Sequence, residues 1–222
     1  QKWSGRNCWP RNFSDAQCKH HETNYRAMPE EFYFESALPV VTPENVTEWM
    51  QHMGFAAADM QERMSGSGRL SNRGRLQGLA VAFPVDYRYG WDMSDTGHQR
   101  LLTEYRERCG IATTTWAPTC KPWSIASRHK DAETLAAERD EQTPTIEWMM
   151  TDITHASELA QHSVVENPHN SDFWSKSPYA NLAATISMRA FLTDQCAYGA
   201  VNELNEPVRK RTRLDSTFVL RS

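Results

Sequence analysis

From about residue 42 onward, short apolar or β-branched runs alternate with helical segments, and that alternation constrains the fold more than any other feature of the sequence. The apolar run Leu79-Ala-Val-Ala-Phe-Pro-Val85 and the β-branched run Ile111-Ala-Thr-Thr-Thr-Trp116 read as strands. Ser163-Val-Val-Glu166, residues 185–194 and Arg213–Leu220 read the same way. Between them lie helical stretches. The first runs from Thr42 as N-cap, with Pro43 at the first helical position, to about Met53. Others cover 69–77, 97–109, and a segment opened by Thr143-Pro144 and ending near Gln161. Residues 128–142 are charged and suit either a helix or a loop. Strands alternating with helices predict an open α/β sheet. Residues 1–45 have no clear period and are expected to be a poorly ordered extension, followed by one α/β domain over 46–222.

Composition narrows the function classes. Lys and Arg total 24 against 28 Asp and Glu, a formal net charge of −4, so the chain is not a general nucleic-acid coat. Its longest apolar run, Leu79–Val85, is far shorter than the roughly 18 residues of a membrane span. Residues 1–20 contain no apolar signal-peptide core, so secretion is not expected. The five cysteines are irregularly spaced, which fits a reducing intracellular setting better than a disulfide framework. Cys8, Cys18, His20 and His21 match no common zinc spacing, and no metal is expected.

In open α/β sheets, ligands bind at the loops that follow the strands. Met64-Ser-Gly-Ser-Gly-Arg69 is such a loop, and Gly66 and Gly68 let its backbone turn tightly beside a ligand. Asp86 follows an apolar run about 20 residues later, where a carboxylate suits a ribose diol. Asp92 is a second acid, suited to an adenine amine or to a helix N-cap. Ala117-Pro-Thr-Cys-Lys-Pro-Trp-Ser124 presents Cys120 in a proline-braced loop, with Lys121 favouring thiolate. Glu166, in Val164-Val-Glu-Asn-Pro168, ends another strand. A Cys and a Glu in one cleft support nucleophilic attack coupled to proton donation. Pro207-Val-Arg-Lys-Arg-Thr-Arg213 adds a local cationic stripe, with Arg209, Arg211 and Arg213 on one strand face.

Taken in order, these motifs resemble the DNA cytosine-5 methyltransferase family over roughly residues 55–220. Ser65, Gly66 and Gly68 look like its glycine motif, Asp86 and Asp92 like its acidic positions, Pro118-Thr-Cys120 like its Pro-Pro-Cys loop, and Glu166-Asn167 like its Glu-Asn-Val motif. Tyr198-Gly199 and Pro207 to Arg211 resemble its late basic motif. The resemblance implies a Rossmann-like S-adenosylmethionine-dependent methyltransferase fold, with a mostly parallel open sheet and helices on both faces. It implies that Ser65, Gly66, Gly68, Asp86, Asp92 and Pro118 hold S-adenosylmethionine. It further implies that Cys120 attacks C6 of a flipped cytosine, that Glu166 protonates N3, and that Arg209 and Arg211 anchor the base or its phosphates. DNA is then the partner, and a nuclear address would follow.

The chain also departs from the family. Thr119 and Lys121 replace Pro and Gln in the catalytic loop, Met64 replaces the usual Phe, and the strand before it is unusually polar. Few residues follow the basic motif, where the family carries a target-recognition domain and a closing helix. The expectation is therefore a domain that uses a separate recognition partner, or one that is truncated or inactive. The alternative is a non-catalytic module that keeps the fold and binds nucleic acid or protein inside a larger mobile-element or viral polyprotein. A third reading is a different Rossmann-like enzyme that uses a nucleotide.

Overall fold

A computed structural model describes residues 40–66, 68–194 and 210–220. The chain divides into two compact units, the first ending at Thr114 and the second beginning at Thr115. Most of the expected N-terminal extension, the Cys8, Cys18, His20 and His21 set, and Arg209 lie outside the described residues.

The first unit contains α1 (Val46–His52), β1 (Ala58–Arg63), α2 (Arg69–Leu76), a short 3-10 turn (Tyr87–Tyr89), α3 (Thr96–Cys109) and most of β2 (Ile111–Trp116). The helix expected from Thr42 starts at Val46 instead. Asn45 is its N-cap, and Asn45 Oδ1 accepts the Thr42 amide at 2.8 Å, closing a turn over 42–45. The expected strand over 79–85 is reduced to two parallel bridges, Met60↔Val81 and Arg63↔Val85. Pro84 has no N–H to donate to a continuous ladder. The segment still lies along β1, with Ala82 N donating to Met60 O and Val85 N to Glu62 O, both at 2.9 Å. Its side chains build the core. Phe83 is fully buried, stacked on Trp91 (5.7 Å between ring centroids) and edge-on to Tyr105 (4.9 Å). Trp91 Nε1 in turn donates to Val41 O at 2.8 Å.

β1 is polar but buried, and its polar atoms are largely satisfied locally. Arg63 Nε donates to Gln61 Oε1 at 3.0 Å, and Glu62 Oε2 accepts from Ser71. This resolves the conflict between its composition and its place in a sheet. α2 packs close to it because Gly74 has no side chain: a Cβ there would meet Met60 Sδ at 2.6 Å and Val81 Cγ2 at 3.1 Å.

The second unit contains two 3-10 turns (Lys121–Trp123, Ile125–His129), α4 (Ala132–Glu158), β3 (His162–Pro168), α5 (Phe173–Lys176), α6 (Tyr179–Thr185), β4 (Arg189–Asp194) and β5 (Arg211–Ser216). α4 joins two segments that the sequence separates. Asp131 caps it by accepting the Thr134 amide at 2.8 Å, and the helix runs through Pro144. Its polar first half is mostly exposed, whereas Thr145, Ile146, Trp148, Met149, Ile153 and Ala156 form the buried stripe of the second half. The change of character near Pro144 made one helix look like two. The strand expected over 185–194 begins at Arg189, and the last strand lies at Arg211–Ser216, earlier than its apolar residues suggested.

The strands follow the order β1-β2-β3-β5-β4 in an open sheet, so the expected α/β class holds. The sheet is mixed. β5 runs antiparallel to β3, from Val164↔Ser216 to Pro168↔Thr212, and antiparallel to β4, from Arg189↔Ser216 to Asp194↔Arg211. This arrangement is consistent with a Rossmann-like fold. Among the described residues, no helix is long and apolar enough to cross a membrane.

Candidate functional site

In the first unit the structure brings the glycine loop and Asp86 together. Met64, Gly66 and Gly68 all have left-handed backbone, with φ of 55°, 54° and 68°. For Met64 this is a strained conformation. A Cβ built on Gly66 would meet nothing within 4 Å, so the loop is open on that side. Ser65 is buried and its Oγ has no hydrogen-bond partner among the described residues. Asp86 Oδ2 accepts the Gly66 amide at 2.8 Å and Oδ1 accepts the Arg88 amide at 3.1 Å. Arg88 Nη1 donates back to Gly66 O at 2.5 Å. The carboxylate expected to meet a ribose therefore also braces the loop, each oxygen keeping acceptor capacity for a second donor.

Burial pushes the Asp86 carboxyl up to about 6, against the opposing hydrogen bonds from Arg88 and Gly66. Because the folded value lies above the ordinary 3.8, the stability from this group is full below about pH 4 and is lost as pH rises to about 6. We expect the stability difference between wild type and Asp86→Ala, read from urea unfolding, to shift against wild type over that interval. The shift should be no more than about 3 kcal/mol, with a plateau above pH 6.5. A difference that moves in favour of wild type with rising pH would contradict this assignment.

Glu62 is a site residue that the sequence reading missed. Its Oε2 accepts both the amide and the hydroxyl of Ser71 at 2.7 Å, in the first turn of α2. Burial raises its pKa, opposed by these bonds. A side-chain carboxyl therefore meets the first turn of α2. The one available signal was an acid placed four residues before Gly66 at the end of β1.

Asp92 is hydrogen-bonded within its own turn. Its Oδ1 accepts from Tyr87 Oη (2.8 Å), Ser94 N (2.8 Å) and Ser94 Oγ (2.6 Å), closing a turn. Burial raises its pKa, but these bonds and His98 outweigh that and leave it lowered. Nor does Asp92 cap α3; that role belongs to Asp95.

In the second unit the Cys120 loop is anchored at several points. Pro118 O accepts Asn167 Nδ2 at 2.9 Å, from the strand that carries Glu166. Pro122 O accepts Arg139 Nε at 3.0 Å, and Trp123 O accepts the Asp172 amide at 2.7 Å. Cys120 itself is half-buried, preceding the 3-10 turn, and its carbonyl accepts the Trp123 amide at 3.0 Å. Asn167 is fully buried and was not singled out from the sequence for this tether. Glu166 is half-buried, on the opposite face of the strand pleat from Asn167. Burial raises its pKa, with Lys210 acting against it, so its carboxyl is shifted toward the protonated form that a proton donor needs.

Of the expected arginine stripe, Arg211 and Arg213 each pair with a carboxylate. Arg211 pairs with Asp194 across β4 and β5, Nε to Oδ1 at 3.2 Å. Arg213 grips Asp215 through Nε (2.6 Å) and Nη2 (2.8 Å) and lies over Trp174 at 4.4 Å. β pairing places Asp194 opposite Arg211, whereas Asp215 stands two residues after Arg213 on the same strand. Among the described residues, no group of three or more His, Cys, Asp or Glu could hold a metal ion.

No protein-family model matches this chain, and no curated protein matches it.

Proposed function

We propose that the chain is a cytosine-5 methyltransferase-like domain acting on DNA, with S-adenosylmethionine as cofactor. The observation that carries the reading is the Asn167–Pro118 hydrogen bond, which ties the Cys120 loop to the strand bearing Glu166. A nucleophile and a proton donor on two tethered elements suit addition to a ring that must gain a proton as it is attacked. Ser65, Gly66 and Asp86 are the residues that would hold the cofactor. The open side of Gly66 and the Ser65 hydroxyl, unpartnered among the described residues, support this reading.

In this reading the Cys120 thiolate adds to C6 of an extruded cytosine. Glu166 gives a proton to N3, so the electron pair released toward the ring is held at C5 without a full charge on N3. S-adenosylmethionine supplies the methyl group. Loss of the C5 proton to water, return of the N3 proton to Glu166 and departure of the Cys120 sulfur from C6 would then re-form the C5–C6 double bond.

DNA containing 5-fluorocytosine tests this directly, because fluorine at C5 cannot leave as a proton does. Incubation with S-adenosylmethionine should give a covalent protein–DNA band on a denaturing gel. Cys120→Ser should abolish the band, and Asn167→Ala should slow its formation at least about tenfold by loosening the loop. A folded chain that forms no adduct, even with a recognition partner supplied, would remove the catalytic reading. The non-catalytic module would then stand; the commitment of Arg211 and Arg213 to Asp194 and Asp215 is the observation that favours it.

A further inference from the structure

The second unit contains a cavity of 720 Å³ between the first half of α4 and the segment joining α5 to α6. Its volume is in the range of small-molecule sites. Arg139 and Lys176 line it, and both are held by a single buried oxygen. Asp172 Oδ2 accepts from Arg139 Nη2 at 3.0 Å and from Lys176 Nζ at 2.9 Å, while Oδ1 accepts from Arg128 Nη2 at 2.8 Å. One carboxylate thus gathers three cations and neutralises one charge. Arg139 is fixed further by Pro122 O and by the Trp123 ring, 5.0 Å from its guanidinium carbon.

Two cationic nitrogens meeting one oxygen lie within about 6 Å of each other, a spacing that the oxygens of one phosphate can bridge with charge-assisted bonds. Ala132, Leu135 and Ala136 form a small apolar wall along α4, suited to the face of an organic ring. Asp140 also lines the cavity. Its charge works against a polyanion and provides an acceptor for hydroxyl or amine donors.

We infer that this cavity binds a small phosphate monoester of nucleotide size, with its phosphate on Arg139 and Lys176 and its polar donors toward Asp140. Neither Cys120 nor Glu166 lines it, although Trp123 and Arg139, which do, also anchor the Cys120 loop.

Calorimetry on the full chain with guanosine 5′-monophosphate tests this. We expect one saturable site, displaced by inorganic phosphate but not by excess S-adenosylhomocysteine. Guanosine should bind at least about tenfold more weakly, since it lacks the charge-assisted bonds. Lys176→Gln, at a half-exposed side chain, should weaken binding about tenfold, whereas Asp140→Asn, which removes a charge opposing the anion, should not weaken inorganic phosphate binding. Four outcomes would each overturn the inference: no saturable binding in a sample with native near-ultraviolet circular dichroism; equal affinity for guanosine; unchanged affinity in both Lys176→Gln and Arg139→Gln; or displacement by S-adenosylhomocysteine. The last would move the ligand to the proposed cofactor site, while failure of S-adenosylhomocysteine alone to bind would count against the methyltransferase reading only.

Discussion

Phe83→Ala lowers the stability of the first unit by about 3–5 kcal/mol, read from urea unfolding followed by tryptophan fluorescence. Phe83 is 0% exposed and sits between Trp91 and Tyr105, themselves almost fully buried. Truncation loses the transfer free energy of the ring and two aromatic contacts, and it leaves a cavity that two large rigid rings cannot collapse to fill. Backbone hydrogen bonds to β1 hold the segment carrying Phe83 in line, and the Phe83 side chain fixes it to Trp91 and Tyr105. Phe83→Leu should therefore recover more than half of the loss, because it restores most of the volume. A cost below about 1 kcal/mol for Phe83→Ala would mean that residues 79–85 are not part of the core.

The second large effect is expected at Asp172. Asp172→Ala should destabilise the second unit by about 2–4 kcal/mol at pH 7, by the same measurement. The Asp172 side chain is 7% exposed and anchors Arg128, Arg139 and Lys176 at 2.8–3.0 Å. Arg128 and Lys176 are themselves half-exposed, so solvent screens their part, and most of the cost comes from Arg139, which is 22% exposed. The hydrogen bond from Lys176, with those from Arg128 and Arg139, holds the Asp172 carboxyl down to about 2. The stability it contributes is therefore present above about pH 4 and is lost as pH falls through about 2, so the variant and wild type should converge in acid. Asp172→Asn should recover only a minor part, since a neutral amide cannot hold three cations.

What could be read from the sequence was what neighbours in sequence determine. α3 and β2 lie within a residue of their expected bounds because the β-branched run and the preceding helical stretch are each locally consistent. The association of Gly66 with Asp86 was also legible, since a strand–helix–strand unit sets that spacing. Features that depend on partners brought together by folding were not. Glu62 gains its partner in Ser71, Asn167 in a carbonyl 49 residues away, and Arg211 in Asp194 on the neighbouring strand. Pro144 misled for another reason. It marks the change from the exposed half of α4 to the buried half, and a proline at such a change looks like a helix start.

The two tethers that hold the candidate loops differ in kind, and this separates how the loops respond to acid. The glycine loop is clasped by a carboxylate that titrates near pH 6. The Cys120 loop is held by an amide on a carbonyl, and neither group changes charge anywhere in the range where the protein is folded. Acidification from pH 7 to pH 5 would thus alter the electrostatic hold on one loop while leaving the position of the other constant. For the proposed chemistry, ligand affinity at the glycine loop would vary with acidity. Cys120 would be held in one place over the same interval, with no contribution from movement of its loop.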